Sequence, residues 1–110
     1  MHPLGICPPH IEAAMEMLGK KWTALILRSL VGGSRRFTEI ASCVPGLSDR
    51  LLSQRLQELE EIGIVQRQVY SERPVRVEYS LTDKGLDLRS VLQAIQEWAE
   101  RWQRVADPVP

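Results

Sequence analysis

The stretch Leu47–Gly85, LSDRLLSQRLQELEEIGIVQRQVYSERPVRVEYSLTDKG, changes its hydrophobic period once, at Gly63, and so fixes the order of its elements. Before the glycine, Leu51, Leu52, Leu56, Leu59 and Ile62 recur at helical spacing, and Ser48 stands where a helix cap belongs. After it, Ile64–Tyr70 and Val75–Leu81 are rich in the β-branched and aromatic residues that strands favour. Ser71-Glu72-Arg73-Pro74 between them reads as a turn, because a proline cannot donate a ladder hydrogen bond. The chain must therefore place one helix directly before a two-stranded hairpin whose tip carries arginines.

The flanking sequence extends that order. MHPLGICPPH holds three prolines and a glycine, so residues 1–9 are expected as an irregular arm. A first helix starts at His10 or Ile11, with Ile11, Ala14, Met15 and Leu18 along one side, and stops at Gly19. Trp22, Leu25, Ile26 and Leu30 form the stripe of a second helix ended by Gly32-Gly33, and apolar Ala24 and Leu27 put it at the centre of the core. Thr38 is expected to cap a short helix through Val44 with Phe37, Ile40, Ala41 and Val44 facing inward, before the Pro45-Gly46 turn. Residues 38–62 thus read as a helix-turn-helix and 64–81 as its wing.

A last helix over 83–104 would be roughly 33 Å long, more than the body of so small a domain can cover. Leu88, Val91, Leu92, Ile95, Trp98, Ala99 and Trp102 lie along one side of it. The near-heptad series Leu88, Leu92, Ile95, Ala99, Trp102 suits a facing copy of the same helix. Asp107–Pro110 reads as a frayed tail.

At 110 residues the whole chain, 1–110, is expected to form one domain. Its net charge is zero, but the charges are segregated. Lys20–Arg55 holds seven cations against Glu39 and Asp49, whereas residues 56–72 hold four glutamates against Arg67. One cationic face with an acidic back suits attraction to phosphate. No apolar run reaches the roughly 20 residues of a bilayer span, and no secretory leader pattern is seen, so a cytoplasmic location without membrane contact is expected. Cys7 and Cys43 are then expected as free thiols, with Cys43 a small core residue. Cys7 and His10 are three apart, but with only His2 and Cys43 to complete a site, no metal or other cofactor is expected. Two histidines, no glycine-rich phosphate loop and no nucleophile beside a base leave catalysis unsupported.

Stepping about 100° per residue from Leu52 places Arg50, Ser53, Gln54 and Gln57 away from the buried arc. Arginine can bridge guanine O6 and N7, and glutamine can bridge adenine N6 and N7, which makes these four the candidate base readers in a major groove. Arg55 falls on the flank of the buried arc, where it is expected to pair with an acid such as Glu39 or Glu58, or else to reach a phosphate at the edge. Arg73, Pro74 and Arg76 at the wing, Lys21, Arg35 and Arg36 at helix ends, and Ser48 at a helix start are candidate backbone contacts. The partner so described is double-stranded DNA. The competing reading is a winged helix that holds a protein partner through the same polar face, for which zero net charge is the best argument.

Beyond these features the chain resembles the HxlR-type winged-helix regulators, bacterial relatives of the MarR group. The resemblance rests on Cys-Pro near the start, IEAAMEMLGKKWTALILRSL, RRFTEI, PGLSDRLLSQRLQELEEIGIVQR and PVRVEYSLTDKG, in that order, from about Cys7 to Trp98. It implies a mainly α fold with a small antiparallel β hairpin, a winged helix-turn-helix with extra N- and C-terminal dimerisation helices. It also implies a homodimer built from the first helix, through Ile11 and Met15, and the last. Such a dimer would bind an operator of approximate two-fold symmetry, usually as a repressor. Several members respond to electrophiles or oxidants through an N-terminal cysteine, the position similar to Cys7, so an oxidant or small-molecule effector is implied. The sequence departs from the family pattern in two respects. Pro9 and His10 lengthen the segment between the cysteine and Trp22, and Lys20 stands where a glycine is usual.

Overall fold

The computed structural model describes residues 5–103. In chain order these form α1 (Pro9–Gly19), α2 (Thr23–Ser29), α3 (Phe37–Cys43), α4 (Asp49–Glu61), β1 (Val65–Tyr70), β2 (Arg76–Leu81), α5 (Asp83–Leu86) and α6 (Arg89–Trp102). The architecture is mostly helical with one antiparallel hairpin, a winged helix-turn-helix in which α3, a turn and α4 lead directly into β1–β2. Residues 1–4, and Arg104 with the tail Asp107–Pro110, lie outside the described residues.

One core holds these elements together. Ile26, Leu27 and Leu30 of the α2 region, Ile40 and Val44 of the α3 region, and Leu52, Leu56 and Leu59 of α4 are all buried. The α4 trio recurs at i, i+4 and i+7, one stripe of a 3.6-residue period, so burying it fixes which face of α4 remains outside. Ile64, Val65, Leu81 and Leu92 join the same cluster and attach the hairpin and α6 to it.

Several boundaries depart from sequence expectation for identifiable reasons. Helix α1 begins at Pro9 rather than after it, since a proline in the first turn lacks only an N–H that has no helical partner anyway. Helix α2 starts after Trp22, which adopts φ 78° as the N-cap, and Leu25 points outward instead of into the core. Thr38 does not cap α3; the Glu39 carboxylate accepts the Arg36 backbone N–H at 2.8 Å one residue before the helix. Ile62 is exposed rather than part of the buried arc. It occupies the C-cap, and Gly63 at φ 76° then reverses the chain, with Gly63 N–H donating to Glu60 O (3.0 Å) and Ile64 N–H to Leu59 O (2.9 Å). That bond pair is a Schellman closure, and it packs Ile64 back toward Leu59.

The last helix is two helices. Thr82 caps α5 by accepting Gly85 N–H at 3.2 Å, while its hydroxyl also reaches the Gly63 and Ile64 carbonyls. Lys84 Nζ donates to Ile62 O at 2.8 Å. A side chain at Gly85 would collide with Ile64 O and crowd Leu81, so only glycine lets α5 sit against the base of the hairpin. This latch ties the end of β2 and α5 to the segment that joins α4 to β1.

Strands β1 and β2 pair from Val65↔Leu81 to Tyr70↔Arg76. Arg35 adds a one-residue third rung, donating to Tyr79 O at 2.9 Å and accepting from Tyr79 N–H at 2.8 Å. The wing is thereby tied to the segment that enters α3.

Candidate nucleic-acid interface

Helix α4 presents its outer side as a polar strip. Arg50, Ser53, Gln54 and Gln57 are all exposed, as the helical wheel requires when Leu52, Leu56 and Leu59 are buried. Ser48 caps the helix, its Oγ accepting Leu51 N–H at 3.1 Å. The first turn also carries Asp49, so this helix start is not a bare anion site.

A second polar group behind the strip organises it. Glu58 accepts from Lys20 Nζ at 2.9 Å, from Arg55 Nη1 at 3.2 Å and from Gln54 Nε2 at 3.3 Å. Arg55 is mostly buried, 11% exposed at its side chain, and its Nε also donates to Lys21 O at 3.1 Å. Of the two acids expected for Arg55, Glu58 is the partner. The hydrogen bond from Lys20 is the largest influence holding the Glu58 carboxyl below its ordinary value; partial burial opposes it, and Gln54 and the charges of Lys20 and Arg55 reinforce it. Sequence reasoning did not find this hub, because Lys20 lies 38 residues away in the corner before α2.

That corner is built around Trp22. A non-glycine residue at positive φ is costly, of order 1–3 kcal/mol, and persists only where packing enforces it. Here the Trp22 ring lies beneath the helix-turn-helix turn, 3.6 Å from where a Gly46 Cβ would be, and Lys21 Nζ sits 5.1 Å from the ring centroid. Lys21 and Arg36 are exposed.

The wing cations divide into two kinds. Arg73 and Pro74 are exposed at the tip, and among the described residues no ion pair involves Arg73. Arg76, expected beside it as a DNA contact, is instead internal to the hairpin. It pairs with Glu72 and Glu78 and lies over the Tyr70 ring at 4.0 Å, because cross-strand register puts Tyr70 opposite it and Glu78 on the same face. Arg35 is likewise drawn inward, its Nε donating to Ser29 O at 2.6 Å at the end of α2. The charge of Arg76 is thus neutralised within the hairpin, whereas Arg35 meets a neutral carbonyl through Nε alone.

Cys7 is exposed in the segment before α1. Cys43 is also exposed, contrary to its expected place in the core, because Ile40 is the only buried residue of α3 and the helix ends at Cys43. In α6, Leu92 belongs to the protomer core and so is not free for a second chain as its heptad position suggested, while Leu88, just before the helix, is half-buried against that core. Ala99 is half-buried. Ile95, Trp98 (56% exposed) and Trp102 (67%) remain uncovered, as do Val91 and, on α1, Ile11 and Met15.

A family model described as HxlR-like helix-turn-helix matches residues 17–107. The chain belongs to the HxlR-like helix-turn-helix family. This HxlR-like protein is a DNA-binding transcriptional regulator, and its relatives are named HTH-type transcriptional regulators. It is 52% identical over 94 residues to the HTH-type transcriptional regulator YvaP of Bacillus subtilis, covering 86% of this chain and 87% of that protein. It is 45% identical over 101 residues to the HTH-type transcriptional regulator YodB of Bacillus subtilis, covering 92% and 90%. The reduced form of YodB superposes with a TM-score of 0.79 at 43% identity over 93% of this chain and all of that one. YodB has also been solved diamide-treated and quinone-bound. The oxidised form of the redox regulator HypR superposes with a TM-score of 0.82 at 35% identity, covering 87% of this chain and 99% of that one. Among the described residues, no helix of the HxlR-like protein is long and apolar enough to cross a membrane.

Proposed function

We propose that this HxlR-like regulator is a cytoplasmic homodimeric repressor that binds an operator of approximate two-fold symmetry and releases it when Cys7 is modified by an electrophile or oxidant. The observation that carries the reading is the exposed strip Arg50, Ser53, Gln54 and Gln57 on a helix whose opposite side is buried and whose end is latched to a wing. In this assignment the strip reads base edges, while Arg73, Pro74, Lys21, Arg36 and the Ser48 turn hold phosphates. Arg76 and Arg35 serve the interface by bracing the wing. Two copies join through Ile11 and Met15 of α1 and Ile95, Trp98, Ala99 and Trp102 of α6, with Leu88 and Leu92 supporting that seam from the core. We assign no enzymatic step and no resident cofactor or metal.

The thiol response is supported by the exposure of Cys7 and by the relatives solved in reduced, oxidised, diamide-treated and quinone-bound forms. A thiolate is the reactive species, and an exposed thiol next to a helix start is open to such reagents. Operator release is to be measured for wild type and Cys7→Ser after diamide or a quinone. Release by wild type and retention by Cys7→Ser is expected; equal release removes Cys7 from the mechanism. The competing protein-docking reading is separated by affinity for mixed duplex DNA at two salt concentrations, which must fall steeply for a phosphate-binding protein.

A further inference from the structure

A cavity of about 330 Å³ opens at the junction of α2, α3 and α6, away from both the α4 strip and Cys7. Its walls are apolar where Leu25, Val31 and Leu92 contribute, and its polar groups are dominated by two guanidiniums, Arg28 and Arg35. Arg28 is held in place by its Nε–H donating to Gln96 Oε1 at 3.0 Å, and Arg35 by its bond to Ser29 O. Each bond uses Nε and leaves that group's terminal nitrogens as donors. Among the described residues neither arginine is paired with a carboxylate. No Asp or Glu lines the cavity.

Two fixed guanidiniums without counter-charge, on the wall of a concave apolar space, make a receptor for an anion that also has an apolar body. The guanidinium fork matches a carboxylate in two parallel hydrogen bonds. The volume is at the small end of the range for small-molecule sites, which limits the ligand to roughly one ring or a short chain. We propose that this cavity binds a small organic carboxylate, its anionic end between Arg28 and Arg35 and its apolar end against Leu25, Val31 and Leu92. Such a ligand touches α2, α3 and α6 at once and sits beside Arg35, whose backbone carries the extra rung to Tyr79 of the wing. Occupancy therefore bears on how the helix-turn-helix, the wing and the long helix are held together.

Cys43 lines the same cavity and serves as a reporter. In Cys7→Ser protein it is the one remaining thiol of the chain. The alkylation rate of Cys43 by iodoacetamide, followed by intact mass, is measured with millimolar benzoate or with its neutral isostere benzamide. Benzoate is expected to slow alkylation several-fold and benzamide to leave it unchanged, and Arg28→Gln, an exposed position, is expected to abolish the protection. The proposal is overturned if benzoate gives no protection, if benzamide protects equally, or if Arg28→Gln leaves the protection intact. Because Cys7 is absent and no DNA is present, failure here is distinct from failure of the operator or thiol readings.

Discussion

Lys20 Nζ lies 2.9 Å from Glu58 Oε2, joining the corner after α1 to the last turn of α4. Glu58 in turn holds Gln54, so one carboxylate links the N-terminal helix to a side chain of the outward strip. Its folded-state value is depressed, first by the Lys20 hydrogen bond. A depressed carboxyl adds stability above its unfolded value and loses that contribution as pH falls through the folded one. Glu58→Gln should therefore be less stable than wild type at about pH 7, by roughly 1 kcal/mol or less for pairs this exposed. The difference should begin to shrink as pH falls below about 4 and close once pH is below the depressed folded value. Denaturant unfolding across that range checks it; a gap independent of pH would disconnect the stability from ionisation.

Arg73 and Arg76 flank one proline yet should behave differently. Arg73 is exposed at the tip, so Arg73→Ala should weaken all duplexes alike and lower the slope of log affinity against log salt by about one unit. Arg76 is neutralised by Glu72 and Glu78, so Arg76→Ala should leave that slope near wild type while speeding amide exchange in β1 and β2. Equal slopes for wild type and Arg73→Ala would remove the tip from the interface.

Gly85→Ala should destabilise the fold by about 1–3 kcal/mol, because the clashing Ile64 oxygen belongs to the backbone and cannot rotate away. For a domain of this size that is a fall of several degrees or more in Tm. Gly32→Ala, where an added Cβ meets nothing within 4 Å, is the control and should move Tm far less. Comparable melting of the two variants would contradict the latch.

Trp98 is more than half exposed on α6, and a buried tryptophan at an interface commonly contributes 2 kcal/mol or more. Trp98→Glu should raise the dimer dissociation constant by about 30-fold or more, read by sedimentation velocity. An unchanged association would move the seam elsewhere.

Helix α4 and the hairpin were legible because their periods differ, and the change falls at a glycine that closes one and releases the other. Arg55 was legible too, since its flank position left Glu58, three residues on, within reach. The break at Asp87–Leu88 was not, because α5 and α6 share one helical period and the Gly85 contact that sets α5 apart comes from Ile64, distant in sequence. Arg76 illustrates the same limit. Its neutral environment follows from strand register, and register is fixed only once Val65 and Leu81 are both committed to the core. Cys43 has apolar neighbours within one helical turn, but a seven-residue helix buries too little for its last residue to be covered.

The central claim is that the outward strip of α4 reads bases on paired half-sites, and its most direct test is selection of bound duplexes from a random pool by wild type and by Gln54→Ala. Wild type should enrich two inverted half-sites about one helical turn apart, and Gln54→Ala should lose preference at one position in each, a penalty of about 1–3 kcal/mol. Enrichment of no symmetric sequence, or an identical preference from both proteins, would contradict it.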